Sequence, residues 1–583
     1  MEIRKKLKTA TRLVKEKNWS ELSRKIKLRR RDRRDAKNYQ TWVLKHKLTE
    51  NDRRKIRSEI NDFSHAPLIS VILPVYNVDV KWLRLCIESV LKQLYQNWEL
   101  CIADDNSPNP QIRTVLEEYA ALDARIKVVF RTENGHISAA SNSALSLATG
   151  EFCALLDHDD ELAEDALFYI AREINEFPET AMIYSDEDMI DENGRRFQPK
   201  FKPDFSRDFF YSLNLITHLA AYRTSILRKI NGFRTGFEGS QDYDLALRFS
   251  EQISEKQIRH IPRILYHWRA IRGSVALSSD EKPYAHERAR RAIHEHLARL
   301  GKKAEVSQTI LNYHRVQYQT PQNLPKVTLI LSANEDFEAA EKSVRFFFEE
   351  TDYQNFEIIL ICPENSKTAA LDGNFKTIIR KNSSKAESLN QAVSESSGEI
   401  LCFADAALRP VSKDWLKELT SFAIQKEIGA VGGKILDKNE NISGGGLVLM
   451  SGDLMDAAHR GLPREAAGNM NRAQLINNFS AVSAECFAVR RASFEEIGGF
   501  DAKNLPDSLF DADFCLRLQR ERDLRTVFTP YAELIEIEKN ASSNKPSAKE
   551  SEFFKQKWQS VLEKDPFYNP NLSLVNETFT IEI

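Results

Sequence analysis

From Leu68 onward the chain alternates short, nearly unbroken apolar runs with stretches of helical periodicity. Leu68-Ile69-Ser70-Val71-Ile72-Leu73-Pro74-Val75 is β-rich and closes on a turn at Tyr76-Asn77. Leu83, Ile87, Val90 and Leu91 then recur at helical spacing. Glu99-Leu100-Cys101-Ile102-Ala103 predicts a second strand, ending at Asp104-Asp105-Asn106-Ser107-Pro108. A helical stretch and the run Ile126-Lys127-Val128-Val129-Phe130 come next, then a helix over 138–149. Phe152-Cys153-Ala154-Leu155-Leu156 predicts a fourth strand, which delivers the acidic cluster Asp157-His158-Asp159-Asp160. Alternation of this kind predicts an α/β fold, a mainly parallel sheet covered on both faces. Such sheets bind ligands at the carboxyl ends of their strands, where both acidic turns fall.

The plan recurs. Val327-Thr328-Leu329-Ile330-Leu331 parallels the first strand, and Phe356-Glu357-Ile358-Ile359-Leu360-Ile361 the second. Gly398-Glu399-Ile400-Leu401-Cys402-Phe403 parallels Gly150-Glu151-Phe152-Cys153-Ala154-Leu155. Ile497-Gly498-Gly499-Phe500 parallels Ile230-Asn231-Gly232-Phe233, and Asp511-Ala512-Asp513 parallels Asp242-Tyr243-Asp244. The expected organisation is a basic helical segment over 1–67, a first domain over 68–305, a linker near 303–325 and a second copy over 326–583.

Composition changes the picture in one place. The 583 residues allow two or three domains. No run of about 18 apolar residues and no apolar signal core is present, so a cytoplasmic protein is expected. Seven scattered cysteines suggest neither a zinc site nor a disulfide framework. The net charge of −2, however, hides 22 Lys/Arg against 8 Asp/Glu in residues 1–60. Ile3, Leu7, Ala10 and Val14, then Trp19, Leu22 and Ile26, recur at helical spacing there. Two readings stay open: a basic amphipathic helix lying on an anionic membrane surface, or a solvated helix packed on the rest of the protein. Nucleic acid is disfavoured as a partner, because the remaining chain is acidic and carries no such motif.

The candidate chemistry is acidic. Asp157 and Asp159, two apart on a turn after a buried strand, suit Mn2+ or Mg2+ held by carboxylates and substrate phosphates. Asp242 precedes an apolar helical stretch, so it is either a helix cap or a general base, and Asp244 can divide those roles with it. His267, after another strand-like run, is either structural or a metal ligand.

Together, Leu73-Pro74-Val75-Tyr76-Asn77, Asp104-Asp105-Asn106-Ser107, Asn142, Leu156-Asp157-His158-Asp159-Asp160, Gln241-Asp242-Tyr243-Asp244-Leu245 and His267 resemble the family 2 glycosyltransferases, which have the GT-A fold. The resemblance covers about 68–300 and, more weakly, 326–540. Tyr184-Ser185-Asp186-Glu187-Asp188, Phe201-Lys202-Pro203-Asp204 and the pair Tyr39 and Trp42 resemble elements of bacterial enzymes building O-antigen, capsule or rhamnose-containing polysaccharides. It implies two tandem GT-A domains and an inverting transfer from a UDP or dTDP sugar to a glycan, or lipid-linked glycan, at the inner membrane face. Pro74, Tyr76 and Asn77 are implied in the nucleotide pocket, with Asp104 or Asp105 on a pyrimidine base. Asn142, Asp157 and His158 are further implied donor contacts. Asp159 and His267 are the implied metal ligands and Asp242 the implied base. Asp186, Asp188, Gln241 and Trp268 are implied on the acceptor side. Ser141 stands where the family often has Arg, leaving Arg131 or His136 to meet a phosphate, and Gln241 stands where it has Glu.

In the second copy Cys362-Pro363-Glu364-Asn365 replaces the first acidic turn, Asp405-Ala406-Ala407 replaces the metal motif, and Glu536 stands near the expected His. This copy is expected to lack transfer chemistry and to position the acceptor or build a homodimer. The competing expectations are a bifunctional two-site transferase or polymerase, a non-catalytic glycan-binding scaffold, and a nucleotidyltransferase.

Overall fold

The structure is a computed structural model that describes residues 19–271, 283–333, 337–363, 375–380, 383–450, 452–537, 545–574 and 579–583. The apolar spacing of Ile3, Leu7, Ala10 and Val14 falls outside them. Helices α1 (Trp19–Lys45) and α2 (Glu50–Asn61) precede the first sheet. Thr49 caps α2 and exchanges hydrogen bonds with Asp52 in a capping box. The first domain then runs β1 (Ile69–Val75), α3 (Val80–Leu91), β2 (Trp98–Asp104), α4 (Pro110–Leu122), β3 (Ile126–Phe130), α5 (His136–Leu147), β4 (Phe152–Leu155), β5 (Glu161–Leu162) and α6 (Ala166–Glu176). It continues with β6 (Met182–Ile190), β7 (Arg196–Lys200), α7 (Arg207–Ser212), β8 (Ala220–Arg223), α8 (Thr224–Lys229), α9 (Gln241–Ser250), β9 (Ile258–Arg269) and α10 (Pro283–Arg299).

The strand order is β3-β2-β1-β4-β8-β6-β9-β5, with β7 on β6. Every residue of β1 and β2 is buried, which is why those runs are apolar without alternation. Each fully buried Leu or Ile there contributes about 1.5–3 kcal/mol of transfer free energy. β1 is parallel to β2 on one side and β4 on the other, with Val75 opposite Asp104 and Ile72 opposite Leu155. The sheet order therefore reverses at β1, and the turns after β1, β2 and β4 meet at one carboxyl-end crevice. The β1–β4 ladder ends at Ile72 opposite Leu155, so Pro74, lacking an N–H, lies beyond it.

A second sheet repeats this order strand for strand: Phe375–Arg380, Phe356–Pro363, Val327–Ser332, Ile400–Asp405, Cys486–Arg490, Ile428–Leu436, Arg525–Glu536 and Leu408–Pro410. Its supporting hydrogen bonds repeat too. Ser70 Oγ donates to Glu99 (2.6 Å) and receives Gly150 N (2.9 Å), as Thr328 Oγ1 does with Glu357 (2.7 Å) and Gly398 N (2.9 Å). Arg248 binds Asp244 and the carbonyls of Ile230 and Gly232, and Arg517 binds Asp513 and those of Ile497 and Gly499.

Buried polar contacts join the two units. Asn478 Nδ2 donates to Asp208 (2.8 Å), Arg525 Nε pairs with the same carboxylate (3.0 Å), and Ser206 Oγ donates to Asn478 Oδ1 (2.9 Å). At the other end, Tyr39 and Trp42 of α1 pack on Phe201, at ring-centroid distances of 6.4 and 5.3 Å. No helix among the described residues is long and apolar enough to cross a membrane.

Candidate functional site

The acidic turn after β4 is held in place from β9. Tyr266 Oη donates to Asp160 (2.5 Å) and accepts from the Asp157 backbone N–H (3.2 Å). The Arg269 backbone N–H donates to the other Asp160 oxygen (2.7 Å), and its Nε to the Asp159 carbonyl (2.8 Å). Asp160 is thus fully buried and structural, and burial pushes its carboxyl well above the usual range. The Asp157 side chain stays 45% exposed and Asp159 21%. Although the Asp157 tip is open to the crevice, the surrounding protein strips solvent from its carboxyl, and this, then the Asp159 and Asp242 charges, raises its pKa against the opposing pull of His218 and His158. Burial works to raise Asp159 as well, but the hydrogen bond and charge of His158 outweigh it and lower its pKa.

The loop 213–219 supplies the other wall, which the sequence did not reveal. Asn214 Nδ2 and Thr217 Oγ1 both donate to Asp242 Oδ2, at 2.8 and 2.7 Å. Asn214 Oδ1 is buried without a hydrogen-bond partner. His218 stacks on Tyr266 (4.4 Å between centroids, 15° between planes), and its Nε2 stands 3.9 Å from Asp157 Oδ2. Its Nδ1 lies 3.2 Å from Glu187 Oε2. Lys202, itself buried, anchors the loop through the His218 carbonyl (2.7 Å). Asp242 sits one residue inside α9, whose N-cap position is Ser240, so it is not the cap. Asp244 is consumed by Arg234 and Arg248.

After β2 the two carboxylates part ways. Asp105 is spent on Arg131 Nε (2.7 Å) and Gly135 N (3.0 Å), and Arg131 is thereby committed to structure. Asp104 accepts from Ser107 N (3.3 Å) through Oδ2, while its buried Oδ1 has no partner. That orphaned acceptor at the crevice fits a base N–H. Tyr76 is 46% exposed beside it, and Asn77 N donates to Ser107 Oγ (2.8 Å). Pro74 is buried in the strand and shapes the turn rather than lining it.

Four expected contacts face protein instead. Asn142 donates to the Phe233 carbonyl (2.8 Å) and accepts from its N–H (2.9 Å), so its amide clamps the turn at Gly232. Asn390 makes the same pair with Phe500 in the second copy, at 2.9 and 3.0 Å, where the metal motif is missing. Asp186 is fully buried against His260 (2.9 Å) and Asn569 (2.9 Å). Asp188 is held by Tyr39 and Arg196 through Oδ2 and by His267 Nδ1 (2.6 Å) through Oδ1. Side chains alternate along a strand. Tyr266 and Trp268 both reach His218, so His267 between them projects from the opposite face of β9, toward Asp188. The imidazole that reaches Asp157 is His218. Trp268 lies 5.7 Å from the His218 ring, and Gln241 Oε1 accepts from Gly239 N (2.7 Å).

A divalent cation fits this donor set chemically. Asp157 and Asp159 are hard oxygen donors open to the crevice. Among the described residues no three His, Cys, Asp or Glu side chains form a ready-made cage. Mg2+-type sites rarely have one, since substrate phosphates and water complete the shell.

The second copy keeps one of these two carboxylates. Its register puts Asp405 at the place of Asp157 and Ala407 at that of Asp159. Ile535 pairs with Arg409 as His267 pairs with Glu161, so Ile535, not Glu536, is the strand equivalent of His267. Glu364 and Asn365 lie outside the described residues.

Residues 70–231 match the family model for glycosyl transferase family 2, and residues 326–558 that for glycosyltransferase-like family 2. The Sinorhizobium fredii protein y4gI is 37% identical over 542 residues, 90% of this chain and 59% of that one. The O-antigen biosynthesis protein RfbC of Myxococcus xanthus is 32% identical over 528 residues, 88% of this chain and 41% of that one. The chain therefore spans about three fifths and two fifths of these relatives' lengths. Among solved structures, S. aureus TarS in complex with UDP-GlcNAc is similar at a TM-score of 0.33 and 21% identity, covering 39% of this chain and 66% of that one.

Proposed function

Because the chain belongs to the family 2 glycosyltransferases, with two such domains in tandem, we propose that its first domain transfers a sugar, with inversion, from a UDP or dTDP donor to a hydroxyl of a growing cell-surface polysaccharide. The observation that carries this reading is the fixing of Asp242 by Asn214 and Thr217 within range of the Asp157 charge. Both donors use Oδ2, which leaves Oδ1 to take the proton of an acceptor hydroxyl. The orphaned Asn214 Oδ1 gives the same hydroxyl, or its neighbour, a second acceptor. Asp104 Oδ1 receives the base N–H and Tyr76 covers the base. Trp268 offers the sugar an apolar face. Asp157 and Asp159 would hold Mn2+ or Mg2+, which when bound neutralises charge on the departing diphosphate. What remains for the protein is alignment of acceptor oxygen, anomeric carbon and leaving group. The second domain, lacking counterparts of Asp159 and His218, positions the acceptor.

The test is thermal unfolding of the full chain against a panel of nucleotide sugars, with and without Mn2+. Binding raises apparent stability by mass action, by about 2.7 kcal/mol at a hundredfold excess over Kd. Mn2+-dependent stabilisation by a UDP or dTDP sugar, followed by product formation with inverted anomeric configuration, is expected. No stabilisation by any nucleotide sugar would sink the reading.

A further inference from the structure

The imidazole beside the acidic turn comes from the loop that also fixes Asp242. Resting on the reading above, we propose that His218 is a ligand of the divalent cation and that Glu187 is its positioning residue. The geometry is that of a prepared ligand. Glu187 Oε2 lies 3.2 Å from Nδ1 and also takes the His218 backbone N–H. Carboxylate at Nδ1 fixes the proton there and leaves the Nε2 lone pair for a cation. Stacking on Tyr266 at 4.4 Å and the Lys202 bond to the His218 carbonyl remove the ring's freedom to turn away. Nε2 and Asp157 Oδ2 are 3.9 Å apart. Two donors about 2.1 Å from one six-coordinate ion stand about 3 to 4.2 Å apart, so a single ion can bridge them.

The arrangement also has a cause in the sequence. The register shifts of this pairing lie in β9, where Ile261, Ile264 and Tyr266 stand opposite Ser185, Asp186 and Glu187, so β6 itself keeps its alternation. Asp186 and Asp188 therefore share one face, Asp186 meeting Asn569 of the C-terminal segment and Asp188 meeting His267, while Glu187 between them turns to the crevice at His218. The internal repeat gives an independent view. Extending the sheet registers puts Ile435 at the position of Glu187 and Glu485 at that of His218. The copy that has Ala407 for Asp159 has therefore also lost both members of this pair. It keeps the equivalents of Ser70, Glu99, Asn142, Asp244 and Arg248, which hold only the fold.

The experiment is pulsed electron paramagnetic resonance of Mn2+ on the full chain with UDP or dTDP, beside a Mn2+ titration. Thermal melting without metal confirms that each variant folds. The nitrogen coupling of a bound imidazole is expected in the parent and in His267→Asn, and is lost in His218→Asn. Glu187→Gln weakens Mn2+ by about 10- to 100-fold. Because Glu187 is buried beside two lysines, the crevice variant His218→Asn carries the decision if Glu187→Gln does not fold. Coupling that survives in His218→Asn, or vanishes in His267→Asn instead, overturns the assignment. If Asp159→Ala abolishes Mn2+ binding while His218→Asn leaves it unchanged, the proposal fails and the donor-site reading stands. If the parent binds no Mn2+ with either nucleotide, that reading falls and takes the proposal with it.

Discussion

His218 Nε2 faces Asp157 Oδ2 across 3.9 Å, and the loop that carries His218 is the one that holds Asp242. One seven-residue stretch thus positions itself against both Asp242 and Asp157. Thr217 anchors Asp242 and its neighbour His218 reaches the acidic turn, so movement of this loop shifts both together.

Asp242→Asn keeps the hydrogen-bonding shape of the side chain and removes its basicity. The expected result is a fall in kcat of about 100- to 10,000-fold with little change in donor KM. Thr217→Val, which removes one of the two donors to Oδ2, lowers kcat by a smaller factor. Steady-state kinetics on the donor that stabilises the protein measures both. An Asp242→Asn enzyme of parental kcat rules Asp242 out as the base.

Asp159 and Asp405 separate the two domains. Asp159→Ala removes a crevice carboxylate and abolishes transfer, whereas Asp405→Asn, in a copy with Ala407 beyond it, leaves the initial rate at the parental level. Asp405 accepts the Ala407 N–H (2.8 Å), and Asn can accept the same bond, so the fold is kept. Loss of a second, distinct sugar transfer in Asp405→Asn would establish two working sites.

Asn142 and Asn390 make a matched pair. Each exchanges two hydrogen bonds with the backbone of a following Phe. Truncation to Ala strands a buried N–H and C=O, at a cost of about 1–3 kcal/mol. Denaturant unfolding of Asn142→Ala and Asn390→Ala should show similar losses. A donor KM that rises in Asn142→Ala without loss of stability would restore this residue to the nucleotide site.

The repeated sheets were legible because their strands are buried on both faces and read as apolar runs, and because acidic turns end two of them. Asp104, Asp157 and Asp242 could be singled out by their place after such runs. His218 could not: Asn214, Thr217 and His218 lie in an irregular loop with no period, and their meeting with Asp242 and Asp157 is made by tertiary packing alone. His267 misled for the opposite reason. It sits on a regular strand, where a one-residue step changes the face, and Tyr266 and Trp268 take the crevice side. In sequence Asp186 and Asp188 have only an implied place on the acceptor side, yet they are taken up by His260, Asn569 and Tyr39 from distant segments and by Arg196 of the neighbouring strand. The Gln241 and Ser141 departures carry no visible structural penalty.

Acid stability should rest on the carboxylates that brace the two sheets. Burial alone would raise Glu99, but bonds from Lys127, Ser70 and Thr149 outweigh it and bring its pKa down to about 2. Glu357 is likewise brought down to about 2 against its burial, by Lys326, Thr328 and Ser397. A carboxyl whose folded pKa lies below its unfolded value, about 4.3 for Glu, stabilises fully above that value and loses its contribution as pH falls toward the folded pKa. Each domain therefore contributes the same kind of acid lability, between about pH 5 and about pH 2. Thermal melting across that window is expected to show a steep fall in Tm for the parent. Glu99→Gln and Glu357→Gln should each melt lower at neutral pH and show a shallower fall in acid. The two slopes should be alike, since the bracing bonds are alike. A double variant with the parental slope would show that other carboxylates govern the acid transition.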